Sequence, residues 1–173
     1  MKEAAEFWRH LGSAIESLTT GDKPDELNQR LLDALHWFGQ ALLEQNAAAK
    51  IVKYTAALER LTMTRKLEAG EIEKCIVERV TMLNQDRPDK TGEQIRKEMG
   101  KIYQHRSDLM HGSLSPYAPT VRGAVRSAYE ITRWSILNAA RLFALIREHA
   151  EPTRERLGKV YDGGWHLADR KRP

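Results

Sequence analysis

A chain of 173 residues with 41% hydrophobic and 30% charged content is long enough for one helical domain with a real core and too short to expect two. The net charge of +4, from 28 basic against 24 acidic residues, permits an anionic partner without demanding one. The single cysteine, Cys75, excludes an internal disulfide and fits a reducing compartment; with no signal-like apolar core at the N-terminus and no uninterrupted apolar run near about eighteen residues, a cytoplasmic protein without membrane contact is expected.

Apolar residues recur every three or four positions along most of the chain, which predicts an all-α, single-domain, up-and-down helical bundle of about five to six helices. A first helix over 2–19 carries Phe7, Leu11, Ile15 and Leu18 on one face, with Trp8 and His10 read as packing or surface residues, and Thr20 to Pro24 ends it. Asp25 is placed to cap a second helix whose stripe is Leu27, Leu31, Leu35, Phe38 and Leu42. Trp37 adds bulk to that seam as a core or interface residue. A third helix, from about Asn46 to Lys66, aligns Ile51, Tyr54, Leu58 and Leu61.

Glu59 falls between Leu58 and Leu61, near the buried edge of that helix. A carboxylate there needs a partner or must reach solvent, because an unpaired interior charge is costly. Arg79 on the following helix is the candidate partner on polarity and on the family resemblance described below, and a solvated flank is the alternative. Gly70 is expected to separate the third helix from a fourth, Glu71 to Leu83, that aligns Ile72, Ile76, Val80 and Leu83. Cys75, beside Ile76, reads as a small buried hydrophobe. The polar turn Asn84 to Lys90 follows, and Thr91 with Gln94 forms a capping box for the next helix.

That helix presents Ile95, Met99, Ile102 and Leu109 to the core, while Lys97, Lys101 and His105 recur every four residues as a basic stripe toward Arg106. Such a stripe suits sequence-independent attraction of phosphates; the plain alternative is a solvated face with a Glu93–Lys97 pair. The loop Gly112 to Pro119 cannot continue a helix, because two prolines remove amide donors. A last long helix, Thr120 to His149, buries Val125, Tyr129, Ile136, Phe143 and Ile146 and sets Arg122, Arg126 and Arg133 along one side. Residues 1–150 are thus expected to form the helical domain and 151–173 a tail, either docked, partner-binding or disordered.

The chemistry-bearing stretch is Tyr103-Gln104-His105-Arg106-Ser107-Asp108-Leu109-Met110-His111-Gly112-Ser113. Arginine offers a permanent charge and a planar fork suited to phosphate, and histidine is the residue type that titrates near neutrality. On a continuous helix an offset of five residues turns side chains about 140° apart. A left-handed Gly112 that unwinds the final turn is expected to let the two converge, within one chain or across a two-fold axis.

This segment resembles the signature of HEPN domains, an all-α superfamily marked by Arg, four to six residues, then His, and especially its ApeA-like branch; Tyr103, Arg106, Ser107, Leu109, Met110, His111 and Gly112 match the run. The segments Ala57 to Leu61 and Glu78 to Leu83 resemble the two preceding helices of that branch, so the likeness covers roughly residues 30 to 150. It implies a ribonuclease needing neither metal nor other cofactor, in which the RNA 2′-hydroxyl attacks the neighbouring phosphate. His111 would act as general acid or base, and Arg106 would hold the phosphate. It also implies a homodimer with the site at the interface, and a setting of phage defence, abortive infection or toxin–antitoxin pairing. Ser107 stands where the wider superfamily often has Asn, Asp or His, and serine supplies no charge; Asp108 is the candidate to make up for it by orienting a histidine. Lys97, Lys101, His105, Arg122 and Arg126 are the candidate RNA-binding residues. The competing readings are a non-catalytic module that binds RNA or protein, with Arg106 on helix-end carbonyls and His111 as a packed cap residue, and a regulatory subunit working beside a protein partner.

Overall fold

The computed structural model describes residues 25–163 together with Trp8, Arg9, Leu11, Gly12, Ile15 and Glu16. Those six positions are helical, with Leu11 buried; the rest of the helix expected over 2–19 and the chain beyond Gly163 lie outside the described residues. Six helices run from residue 25 onward: α1 Glu26–Leu43, α2 Ala47–Thr62, α3 Ala69–Leu83, α4 Gly92–His111, α5 Pro119–His149 and α6 Arg154–Tyr161. No strand occurs among the described residues, and the chain is an all-α helical bundle.

Local chemistry sets the helix starts. Asp25 and Asn46 accept the amides of Asn28 and Ala49 at 2.8 and 3.0 Å, occupying donors that the first helical turn leaves unpaired. Thr91 and Gln94 form the reciprocal capping box of α4, and Pro119 begins α5, where its missing amide costs nothing. Gly70 does not separate helices; it lies in the first turn of α3, which begins one residue earlier.

Helix α2 is the centre of the bundle, packed against α1, α3, α4 and α5, while the 31-residue α5 crosses the other helices. One core cluster gathers Ile51, Tyr54, Leu58, Val80, Met99 and Ile102; a second gathers Leu27, Leu31, Leu61, Phe143, Ile146 and Leu157. Leu42 departs from its expected place, being half exposed next to the largely exposed Leu43, because Ala34 and Ala41 occupy the inward register of α1 and Leu42 lies one residue, about 100°, around. Trp37 is also exposed on α1.

Arg79 organises the far end of the bundle. Its buried guanidinium donates to the Thr62 carbonyl at 2.6 Å, to Thr64 Oγ1 at 3.0 Å and to Asp162 at 2.9 Å, and it lies 5.1 Å from the Tyr161 ring centre. Tyr161 in turn donates its hydroxyl to the Leu61 carbonyl, and Leu157 is fully buried. Residues 153–163 therefore dock through α6, and Arg79 has a role other than pairing with Glu59. Cys75 is half-buried rather than enclosed, and burial pushes its thiol up. No helix among the described residues is long and apolar enough to cross a membrane.

Candidate functional site

Helix α4 stays α-helical through His111, and Gly112 is the residue that turns left-handed, at φ 73°. The amides of Ser113 and Leu114 both return to the Asp108 carbonyl, at 2.9 and 3.2 Å, which seals the helix end against the loop. The glycine thus ends α4 without unwinding its final turn. Arg106 and His111 keep their helical offset of about 140° and do not converge within one chain.

Arg106 faces inward, across the groove between α4 and α2. Its Nη2 lies 3.3 Å from Glu59 Oε1, and its guanidinium carbon is 5.7 Å from the Tyr103 ring centre. Glu59 therefore pairs with Arg106, not with Arg79: residue 79 lies toward the C-terminal end of α2, where the carbonyl of Thr62 competes for its donors. Neither Arg106 nor Glu59 is fully enclosed, with side-chain exposures of 31% and 27%. Burial pushes the Glu59 carboxyl above its ordinary range and the adjacent guanidinium opposes that shift. The buried Tyr103 hydroxyl is likewise raised, first by burial and then by Glu59, with Arg106 acting the other way.

His111 is exposed on the other side of the helix end, and its imidazole makes no hydrogen bond among the described residues. Met110 beside it is 60% exposed and Tyr117, in the loop that follows, 73%. Asp108 does not orient a histidine. Its carboxylate accepts from Gln104 at 2.8 Å and from the Ser113 hydroxyl at 3.4 Å, because an offset of four residues puts Gln104 directly over it on the helix. Ser107 is half-buried beside Arg106.

The basic stripe also ends elsewhere than expected. Lys97 and Lys101 are exposed, and His105 with Lys101 lines a cleft between α4 and α5 closed by Thr120, Ala124 and Ser127. Arg106, one residue on, is turned about 100° away toward α2, so the stripe runs past the α4–α5 cleft instead of into the Arg106 groove. No Glu93–Lys97 pair forms; Lys90 pairs with Glu98 instead. Arg122 and Arg126 are exposed on α5, where Arg126 borders a second cleft with Arg87 and Trp134. Arg133 pairs with Glu130 at 3.7 Å.

The described residues contain no group of three or more His, Cys, Asp or Glu side chains arranged to hold a metal ion. Comparison with protein-family models, with curated proteins and with solved structures gives no match. The residue that sequence reasoning missed is Glu59 as a member of the Arg106 site: its position at the buried edge of α2 was a visible signal, but the spacing along one helix does not name a partner on another.

Proposed function

We propose that the chain is a metal-independent endoribonuclease of the HEPN type, acting as a homodimer in which Arg106 of one copy and His111 of the other address the same phosphodiester. The observation that carries this reading is the divergence of the two side chains on an unbroken helix. His111 stands exposed and unpartnered among the described residues beside Met110 and Tyr117, on a surface that a second copy of the chain can complete. Arg106 lies in a groove with a Glu59 contact to one nitrogen, which leaves other donors of its fork for a phosphate. In the reaction the 2′-oxygen bonds to phosphorus and the bond to the 5′-oxygen breaks, giving a cyclic phosphate and a 5′-hydroxyl. His111 moves a proton in that exchange and Arg106 offsets charge on the phosphoryl oxygens. Exposed Lys97, Lys101, Arg122 and Arg126 supply sequence-independent attraction for the RNA backbone. RNA destruction in antiviral defence or a toxin–antitoxin pair is the matching biological setting.

The test is cleavage of a fluorescent structured RNA in EDTA by wild type and His111→Ala, with the product ends identified. Wild type should leave cyclic phosphate ends and the variant should lose about 10² to 10⁴ in rate while keeping its melting temperature, since His111 is exposed. Equal cleavage by both proteins would refute the assignment.

The Glu59–Arg106 contact favours a second reading, a non-catalytic RNA- or protein-binding module in which this pair clamps α2 to α4. Under that reading Arg106→Ala lowers stability and no cleavage occurs with either protein.

A further inference from the structure

We infer that Glu59 gates Arg106, competing with an incoming phosphate for its guanidinium, so that the groove between α2 and α4 is a carboxylate-restrained anion site. This rests on the reading of Arg106 as a phosphate ligand. The contact is a single 3.3 Å approach between Arg106 Nη2 and Glu59 Oε1. The Arg106 guanidinium donates no hydrogen bond among the described residues, in contrast to those of Arg79 and Arg147, whose forks are engaged by two or more acceptors each. A guanidinium has five N–H donors in a planar fork, and one long contact leaves most of them unused. Both groups remain about one-third exposed or slightly less, so a ligand can reach the pair without unfolding α2 or α4. The Tyr103 ring, 5.7 Å from the guanidinium carbon, gives the cation a second support when Glu59 lets go.

Two consequences follow from charge. While Glu59 holds Arg106, the groove presents a neutral pair, and polyanions are attracted mainly by Lys97, Lys101, Arg122 and Arg126 elsewhere on the surface. Once a phosphate takes the guanidinium, the displaced carboxylate stands near the bound anion and opposes it. The site therefore discriminates against weakly held phosphates, and removing the carboxylate charge strengthens anion binding through Arg106 specifically.

The experiment is fluorescence anisotropy of a labelled single-stranded RNA oligonucleotide with 2′-O-methyl riboses, which keeps the phosphates but lacks the attacking hydroxyl, in EDTA at low salt, using wild type, Glu59→Gln, Arg106→Ala and the double variant. Each protein is checked first by circular dichroism melting. Glu59→Gln should bind about fivefold more tightly than wild type, the scale of one partly exposed ion pair, and Arg106→Ala should bind more weakly. In the Arg106→Ala background the Glu59→Gln gain should shrink to about twofold or less, because the coupling runs through the guanidinium. Equal or weaker binding by folded Glu59→Gln overturns the gate, as does an undiminished gain in the double variant, which would be general charge attraction. If the affinity pattern holds but wild type does not cut the same oligonucleotide with unmodified riboses, the gate stands and the ribonuclease reading falls. If no variant binds RNA, Arg106 is not a phosphate ligand and the gate falls with it.

Discussion

A composite site makes a mixing experiment decisive. Arg106 and His111 are five residues apart on α4, which remains helical to His111, so their side chains point about 140° apart with a rise of about 7.5 Å between them. Arg106 turns toward Glu59 in the body of the bundle, and His111 turns to solvent. In the proposed dimer each site takes its arginine from one copy and its histidine from the other. Arg106→Ala and His111→Ala homodimers then each carry two broken sites. When equal amounts are mixed and allowed to exchange, about half of the dimers become heterodimers, and each heterodimer has one site with both residues and one with neither. The mixture should recover about a quarter of wild-type activity, from about half of the dimers carrying one good site in two. The assay is the rate of fluorescent RNA cleavage before and after exchange, with exchange followed by energy transfer between differently labelled copies. Confirmed exchange with activity no higher than the sum of the two separate variants would refute a shared site.

Three further outcomes bear on the fold that holds this site. Arg79→Met should destabilise by roughly 3 to 5 kcal/mol in chemical denaturation, because it strands the Thr62 carbonyl and Thr64 around a 5%-exposed side chain; Asp162→Asn should cost about 1 kcal/mol or less, its carboxylate being mostly in water, and equal costs would mean that the ion pair rather than the buried hydrogen bonds holds α6. The Lys53 side chain and the amides of Asn46 and Gln45 hold the Glu44 carboxyl at about 2, below its ordinary 4.5; a depressed carboxyl stabilises the fold above the unfolded value and loses that contribution as pH falls through the folded one. The melting temperatures of wild type and Glu44→Gln should therefore differ at neutral pH and converge by about pH 2, and a gap that persists in acid would contradict the assignment. Gly112→Ala has open space around it but a left-handed backbone, so it should cost about 1 kcal/mol and disturb the loop that follows His111, as read by amide exchange at Ser113 and Leu114; unchanged stability and exchange would refute the cap's role.

Much of the fold was legible along the chain. Asp25, Asn46 and the Thr91–Gln94 box cap their helices as their identities suggest, and the periodic series Ile51, Tyr54, Leu58 and Leu61 is buried in register. These are local effects: a cap needs an acceptor within three residues of an amide, and a stripe needs only the 3.6-residue turn. Helix limits were less secure, as Gly70 shows. A glycine in a first turn loses little, since the amides there have no intrahelical partner in any case.

The partners of charged side chains were decided by tertiary structure. The sequence by itself determined that Glu59 sits at the edge of the core, that α4 ends at a glycine beside His111, and that Arg106 and His111 are offset by five residues. It did not determine that Glu59 meets Arg106, that Arg79 serves the Thr62 carbonyl and Asp162, or that Asp108 is used by Gln104 and Ser113. Long side chains choose partners by the distance and angle between helices, and a helical repeat carries neither. The same reason separates the Lys97–Lys101–His105 stripe from Arg106: a single residue turns α4 by about 100°, and only the packing of α2 on one side and α5 on the other gives those two faces different neighbours.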